Sequence, residues 1–217
     1  VVKPLTGTRL GPRIVQLIAG LLLFGGGIAL MLRSRLGVPP WDVLHQGLAV
    51  RFGLTVGIWS VIVSVLVLLL WIPLRERLGV GTLLNAVLIG LTIDLVSAVL
   101  PEPDAIAGRW AMLLGGVVLI GVASGMYIGA NLGPGPRDGL MTGIARRGPS
   151  IRLTRAVIEI TVLAVGWLMG GTFGPGTVVF AIGIGPLVQF FLPRWDRGVG
   201  LDRKEEKGPA QDRTASR

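Results

Sequence analysis

Residues 36–47 read LGVPPWDVLHQG, and residues 132–143 read LGPGPRDGLMTG. A short polar stretch with helix-breaking prolines and an acid therefore occurs twice in a chain dominated by apolar runs. In the first copy, Pro39 and Pro40 stop an incoming helix, because proline lacks an N–H and restrains the residue before it. Pro40 suits the first turn of a new helix, where the missing donor costs nothing. Asp42 then falls near the positive end of that helix's dipole. The new helix can run only to about Arg51 before Gly53, too short to cross a bilayer. It is expected to be an interfacial or re-entrant half-helix, tolerated at depth only where protein or a wet cavity surrounds it. The second copy repeats the design around Pro136, with Arg137 and Asp138 adjacent.

The repetition extends outward. At an offset of 96, Gly25, Ala29, Gly37, Pro40, Asp42 and Gly47 meet Gly121, Gly125, Gly133, Pro136, Asp138 and Gly143. After a one-residue slip, GVGT at 79–82 meets GPGT at 174–177, and Asp94 meets Gln189. An ordered set with proline and acid in register points to internal duplication. Each copy holds one apolar span, the proline–aspartate stretch and two further spans. Three crossings per copy is odd, so the second copy enters the membrane from the opposite side. Inverted repeats of this kind are a recurrent plan of secondary transporters, whose sites lie at the repeat interface and use interrupted helices.

The spans themselves are read from charge-free runs. Residues 14–32 hold no charge over 19 positions, enough rise to cross a hydrocarbon core of about 30 Å. Similar runs occupy 56–74, 110–132 and 175–192, and two more, 78–100 and 156–173, each hold one acid. The chain of 217 residues is 51% hydrophobic with mean hydropathy +0.71. The expected fold is an all-α polytopic membrane protein: six transmembrane helices as two inverted three-helix repeats, each with a short re-entrant or interfacial half-helix. Its parts are a cytoplasmic N-terminal tail at 1–12, repeats at 13–101 and 109–193, and a disordered basic cytoplasmic tail at 194–217. The first span follows Lys3, Arg9 and Arg13 but exceeds a signal-peptide core and shows no cleavage pattern, so it is read as retained.

There is no cysteine, which excludes disulfides, thiolate catalysis and zinc–thiolate sites. The net charge of +9 is mostly a topology signal. With the N-terminus inside, Arg75, Arg77, Arg146, Arg147, Arg152 and Arg155 fall in cytoplasmic segments, whereas the outside keeps Arg33, Arg35, Arg51 and Arg109. Both termini are therefore placed in the cytoplasm, and nucleic acid is not an expected partner. His45 is the sole histidine; it rules out a multi-histidine metal site and reads as a solvated or turn-packing residue. No metal or cofactor is expected. HExxH, GxSxG and Walker patterns are missing, so enzymatic activity is not expected.

Ligand-binding or gating candidates are the polar residues inside the membrane. Two readings are open for Asp42 and Asp138: they stabilise helix starts, or they line a polar path from opposite faces. Asp94 either reaches the headgroups or joins an internal polar site with Asn85, while Gln189 is its neutral counterpart. Arg137 flanks Asp138, and Tyr127 and Asn131 offer hydrogen bonds from the fourth span. Glu159 and Arg155 are spaced as an i,i+4 pair. Gly121, Gly125, Gly129 and Gly133 form a stripe of small residues matching Gly25, Ala29 and Gly37, and predict that spans one and four cross at the pseudo-axis. Trp41, Trp71, Trp110 and Trp195 fall at span ends, as aromatic anchors do.

With LGVPPWDVLHQGL, the glycine-rich run and the degenerate copy LGPGPRDGL, residues 13–193 resemble the YczE/YitT-type group of bacterial integral membrane proteins. The resemblance implies a multispan fold in the bacterial cytoplasmic membrane and brings no substrate or catalytic residue with it. The expected function is transporter-like, acting on a small molecule or ion at the repeat interface. The rivals are a non-transporting accessory that docks another membrane or secretion system through 146–155 and the basic tail, and a lipid-handling protein. Membrane lipids, a second copy of the chain or another membrane protein are the expected partners.

Overall fold

The computed structural model describes residues 10–196. Among them the fold is all helical: α1 Leu10–Ser34, α2 Pro40–Phe52, α3 Val56–Leu74, α4 Val80–Val99, α5 Ile106–Gly129, α6 Pro136–Ala145, α7 Ile151–Leu168 and α8 Pro175–Trp195. Helices α1, α3, α4, α5 and α8 are long and apolar enough to cross a membrane. The sixth expected span differs. Predicted at 156–173, it appears as α7 at 151–168, because Ser150 caps its start by accepting from the Leu153 N–H at 3.2 Å. Gly170, at φ 101°, ends it. The shift brings Arg152 and Arg155 into its eighteen residues with Glu159, so α7 is amphipathic rather than uniformly apolar. Residues 1–9 of the expected N-terminal tail and 197–217 of the basic tail lie outside the described residues, while 10–12 and 194–195 belong to α1 and α8.

Helices α1 and α5 pack on each other at the centre; α4 flanks α1, and α8 flanks α5. The short helices cross over: α2 packs on α7, and α6 packs on α3. The core follows this plan. Leu17, Leu21, Ile28, Met31 and Ile120 are fully buried between the central helices. A second cluster joins Trp41, Val67, Trp71, Leu140 and Met141 around the short helices.

Two corrections concern packing. The stripe of small residues does not join α1 to α5. A Cβ on Gly121 would meet Leu187, one on Gly125 would meet Phe191, and one on Gly129 would meet Trp195, all of α8; Gly25 faces Thr92 and Ile89 of α4. The α1–α5 contact uses Gly20, Gly27 and Gly116 instead, where a Cβ would meet the partner backbone or side chains at 2.7–3.0 Å. The period was read correctly and its face was not, because α-helical small-residue stripes run on both sides of a helix that packs two neighbours. Trp41 and Trp71 are also core residues, 7% and 2% exposed, not interfacial anchors. The Trp71 indole N–H donates to the Pro136 carbonyl at 3.1 Å, which gives its polar tip a partner inside the fold.

The GxGT pairs have a structural task. The Gly81 N–H donates to the Leu132 carbonyl at 2.9 Å, and the Gly176 N–H donates to the Leu36 carbonyl at 2.7 Å. Each helix start of one copy thus docks on the loop that opens the proline–aspartate stretch of the other. Gly37 and Gly133, at φ 115° and 127°, turn those loops through a conformation that disfavours any side chain.

Candidate functional site

The proline–aspartate stretches come together. Pro40 and Pro136 occupy the first turns of α2 and α6, as their fixed φ favours. Both helix starts open into one cavity of about 340 Å³. Asp42 reaches it from α2, and Arg137 and Asp138 from α6. Asn85 of α4, Tyr127 of α5 and Gln189 of α8 line it as well. Six of the eight candidates therefore share one chamber.

Its chemistry is set by close pairs. The Tyr127 hydroxyl donates to Asp138 Oδ2 at 2.7 Å. His45 Nδ1 is hydrogen-bonded to Asp42 Oδ1 at 3.1 Å, and both side chains are essentially inaccessible. The Arg137 guanidinium lies 3.8 Å from Asp42 Oδ1 and 5.2 Å from the centre of the Trp41 ring. Trp41 and Arg137 occupy equivalent places in the two copies, so one of the departures between the motifs makes a cation–π contact between them. Three buried polar atoms of α2 have no hydrogen-bond partner: Asp42 Oδ2, His45 Nε2 and Trp41 Nε1. Leaving such groups unpaired costs about 1–3 kcal/mol each, which in native folds calls for an explanation.

The two remaining candidates lie elsewhere. Asp94 caps α3: its Oδ1 accepts from the Gly57 N–H at 2.9 Å, and its Oδ2 accepts from the Thr55 hydroxyl. It lines a second cavity with Arg33, Arg35 and Glu102. Asn131 sits at φ 57° just past α5, a left-handed turn that asparagine tolerates, and its carbonyl accepts from Arg13 Nη2 at 2.9 Å. Gly47 and Gly143 are packing positions, against the Gly166 carbonyl and Glu76 respectively.

Sequence reasoning missed several lining residues. His45 is neither solvated nor at a surface turn; it is fully buried on α2, which packs on α7 and α3, and no local pattern encodes that packing. Ser60 and Ser64 on α3 and Ser124 on α5 line the cavity, and hydroxyls four apart on an apolar span were a readable hint. Arg155 and Glu159 pair at 2.8 Å as their spacing predicted, and they also line the chamber.

Residues 11–193 match the family described as "Family of unknown function (DUF6198)". The chain belongs to this family. An uncharacterized protein of Haemophilus influenzae is 44% identical, the match covering 81% of each chain. The uncharacterized membrane protein YczE of Bacillus subtilis is 40% identical over 81% of this chain and 83% of its own. The uncharacterized protein YyaS of the same species is 30% identical over 82% and 91%. No solved structure matches this DUF6198 chain. The YczE resemblance read from the proline–tryptophan–aspartate element is thus borne out, and with five apolar helices the chain is a membrane protein. In this family member the element lines the cavity.

Proposed function

We propose that this is a transporter-like protein of the bacterial cytoplasmic membrane, moving a small molecule or ion through a polar site between two inverted repeats. In this reading α7 is the sixth crossing, shielded by its arginine–glutamate pair and by α2, and both termini are cytoplasmic. One observation carries it: the starts of two half-helices meet in one chamber with Asp42 Oδ2 buried and unpartnered. A structural acid would be satisfied by the fold; an acid kept for a ligand would not. Matching contacts support the inversion, since Gly81 and Gly176 dock on Leu132 and Leu36 in the same way. The rival accessory role rests on the basic tail and on the arginines at 146–155, of which Arg146 is engaged by Glu76 at 2.8 Å.

Uptake into proteoliposomes, screened over a labelled metabolite panel, tests the reading. Asp42→Asn and Asp138→Asn should each lower uptake by about tenfold or more, the scale of one lost charge-assisted hydrogen bond. Deleting residues 197–217 should leave uptake largely intact. If the deletion abolishes function and both acid replacements are silent, the accessory role stands instead.

A further inference from the structure

The chamber's side chains define a ligand class. Its charged lining residues are Asp42, Asp138 and Glu159 against Arg137 and Arg155, an excess of one acid. Its walls include the aromatic rings of Phe24, Trp41, Tyr127 and Phe180. An anion would find little here. Both helix starts carry proline where a donor N–H would be, and the Asp42 N–H already donates to the Pro39 carbonyl at 2.9 Å. The two acids also sit at the positive helix ends that an anion would need.

A cation finds the opposite. Asp42 Oδ2 is a buried acceptor with no donor, and both Asp42 and Trp41 line the chamber. The Arg137 guanidinium lies over the Trp41 ring and 3.8 Å from the other carboxylate oxygen, Oδ1, near enough to Asp42 to attract it but not hydrogen-bonded. It marks what the carboxyl group and the ring together accept: a delocalised or primary cation.

We propose that the chamber binds a small organic cation, an ammonium or amidinium group on an apolar body, and that Arg137 is its built-in competitor for Asp42 and Trp41. The proposal rests on the transporter-like reading and names the substrate class of the same site. The cationic head pairs with Asp42 Oδ2, the apolar body lies against the aromatic wall, and Arg137 swings away from the acid.

Isothermal titration of the full-length purified protein with four probes tests this: benzamidinium, benzylammonium, benzoate and benzyl alcohol. Both cations should bind, with benzoate and benzyl alcohol weaker by about tenfold or more. Asp42→Asn should weaken the cations by about tenfold or more, and Asp42→Glu should keep their preference, which separates ligand loss from unfolding. Arg137→Gln should tighten benzamidinium by about tenfold, an effect that a merely structural arginine would not produce. Benzoate binding best, or Arg137→Gln weakening the cations, would overturn the proposal. Failure of all four probes while proteoliposome uptake persists overturns the cation class and leaves the transporter-like reading standing. Absence of uptake in wild type overturns both.

Discussion

Gly47 lies where α2 meets α7, and a Cβ there would sit 2.3 Å from the Gly166 carbonyl oxygen and 2.9 Å from Met169 Cβ. Backbone cannot yield as a side-chain tip can, so Gly47→Ala should destabilise by about 1–3 kcal/mol, the usual scale of overpacking. Gly115 on α5 is the internal contrast. A Cβ there meets nothing within 4 Å, and alanine in a helix interior is favoured over glycine by about 0.5–1 kcal/mol. Thermal unfolding in detergent should thus move down for Gly47→Ala and slightly up for Gly115→Ala. Equal shifts would mean that α2 and α7 are not packed as described. The sequence marked Gly47 by its repeat with Gly143, yet Gly143 faces the movable end of Glu76 at 3.0 Å. Equivalence in register does not carry equivalence in packing. Burial of His45 was illegible for the same reason, since it depends on how α2 packs against α7 and α3.

Helices and their ends were more legible than partners. The third helix fell at 56–74 as its apolar run indicates, and α2 stopped at Phe52 before Gly53. Asp94 shows the limit: an acid in an apolar run fits either a headgroup-reaching or an internal polar group, and its partner, the start of α3, comes from another helix. The loop between α4 and α5 holds a testable element of its own. Glu102 there pairs with Arg33 at 2.9 Å and with Arg35 at 2.5 Å, tying the end of α1 to the connection between the halves. Desolvation pushes the Glu102 carboxyl up, but hydrogen bonds and charge from Arg33 and Arg35 outweigh it and hold the group below the usual carboxylate range. A depressed folded-state value means that the pairing's contribution is present above the ordinary glutamate range. It is lost as pH falls through the lowered value. Melting temperatures of wild type and Glu102→Gln should accordingly differ at neutral pH and converge as the solution is acidified into that range. Because the group is exposed the difference should be small and shrink with salt; a gap that widens in acid would contradict the assigned pairing.

At the scale of the whole molecule, the reading of duplication rests on proline, glycine and aspartate recurring in register, residues that fix backbone shape. What could not be read was how the copies interlock. Only the structure places α2 on α7 and α6 on α3, and only it brings Trp41 and Arg137 face to face. Such exchange is what a two-fold relation between copies would produce, and the proposed three crossings per copy would make that relation an inversion. The chain offers a direct measurement, because it has no cysteine of its own and any introduced thiol is unique. Arg51, at the end of α2, and Pro149, between α6 and α7, are both exposed. Inversion puts the first outside the cell and the second inside. A membrane-impermeant maleimide should label Arg51→Cys in intact bacterial cells, and should label Pro149→Cys only after the membrane is opened. Labelling of both from the same side would leave the two acids approaching the chamber from one compartment, and a site open alternately to either face would then lose its structural basis.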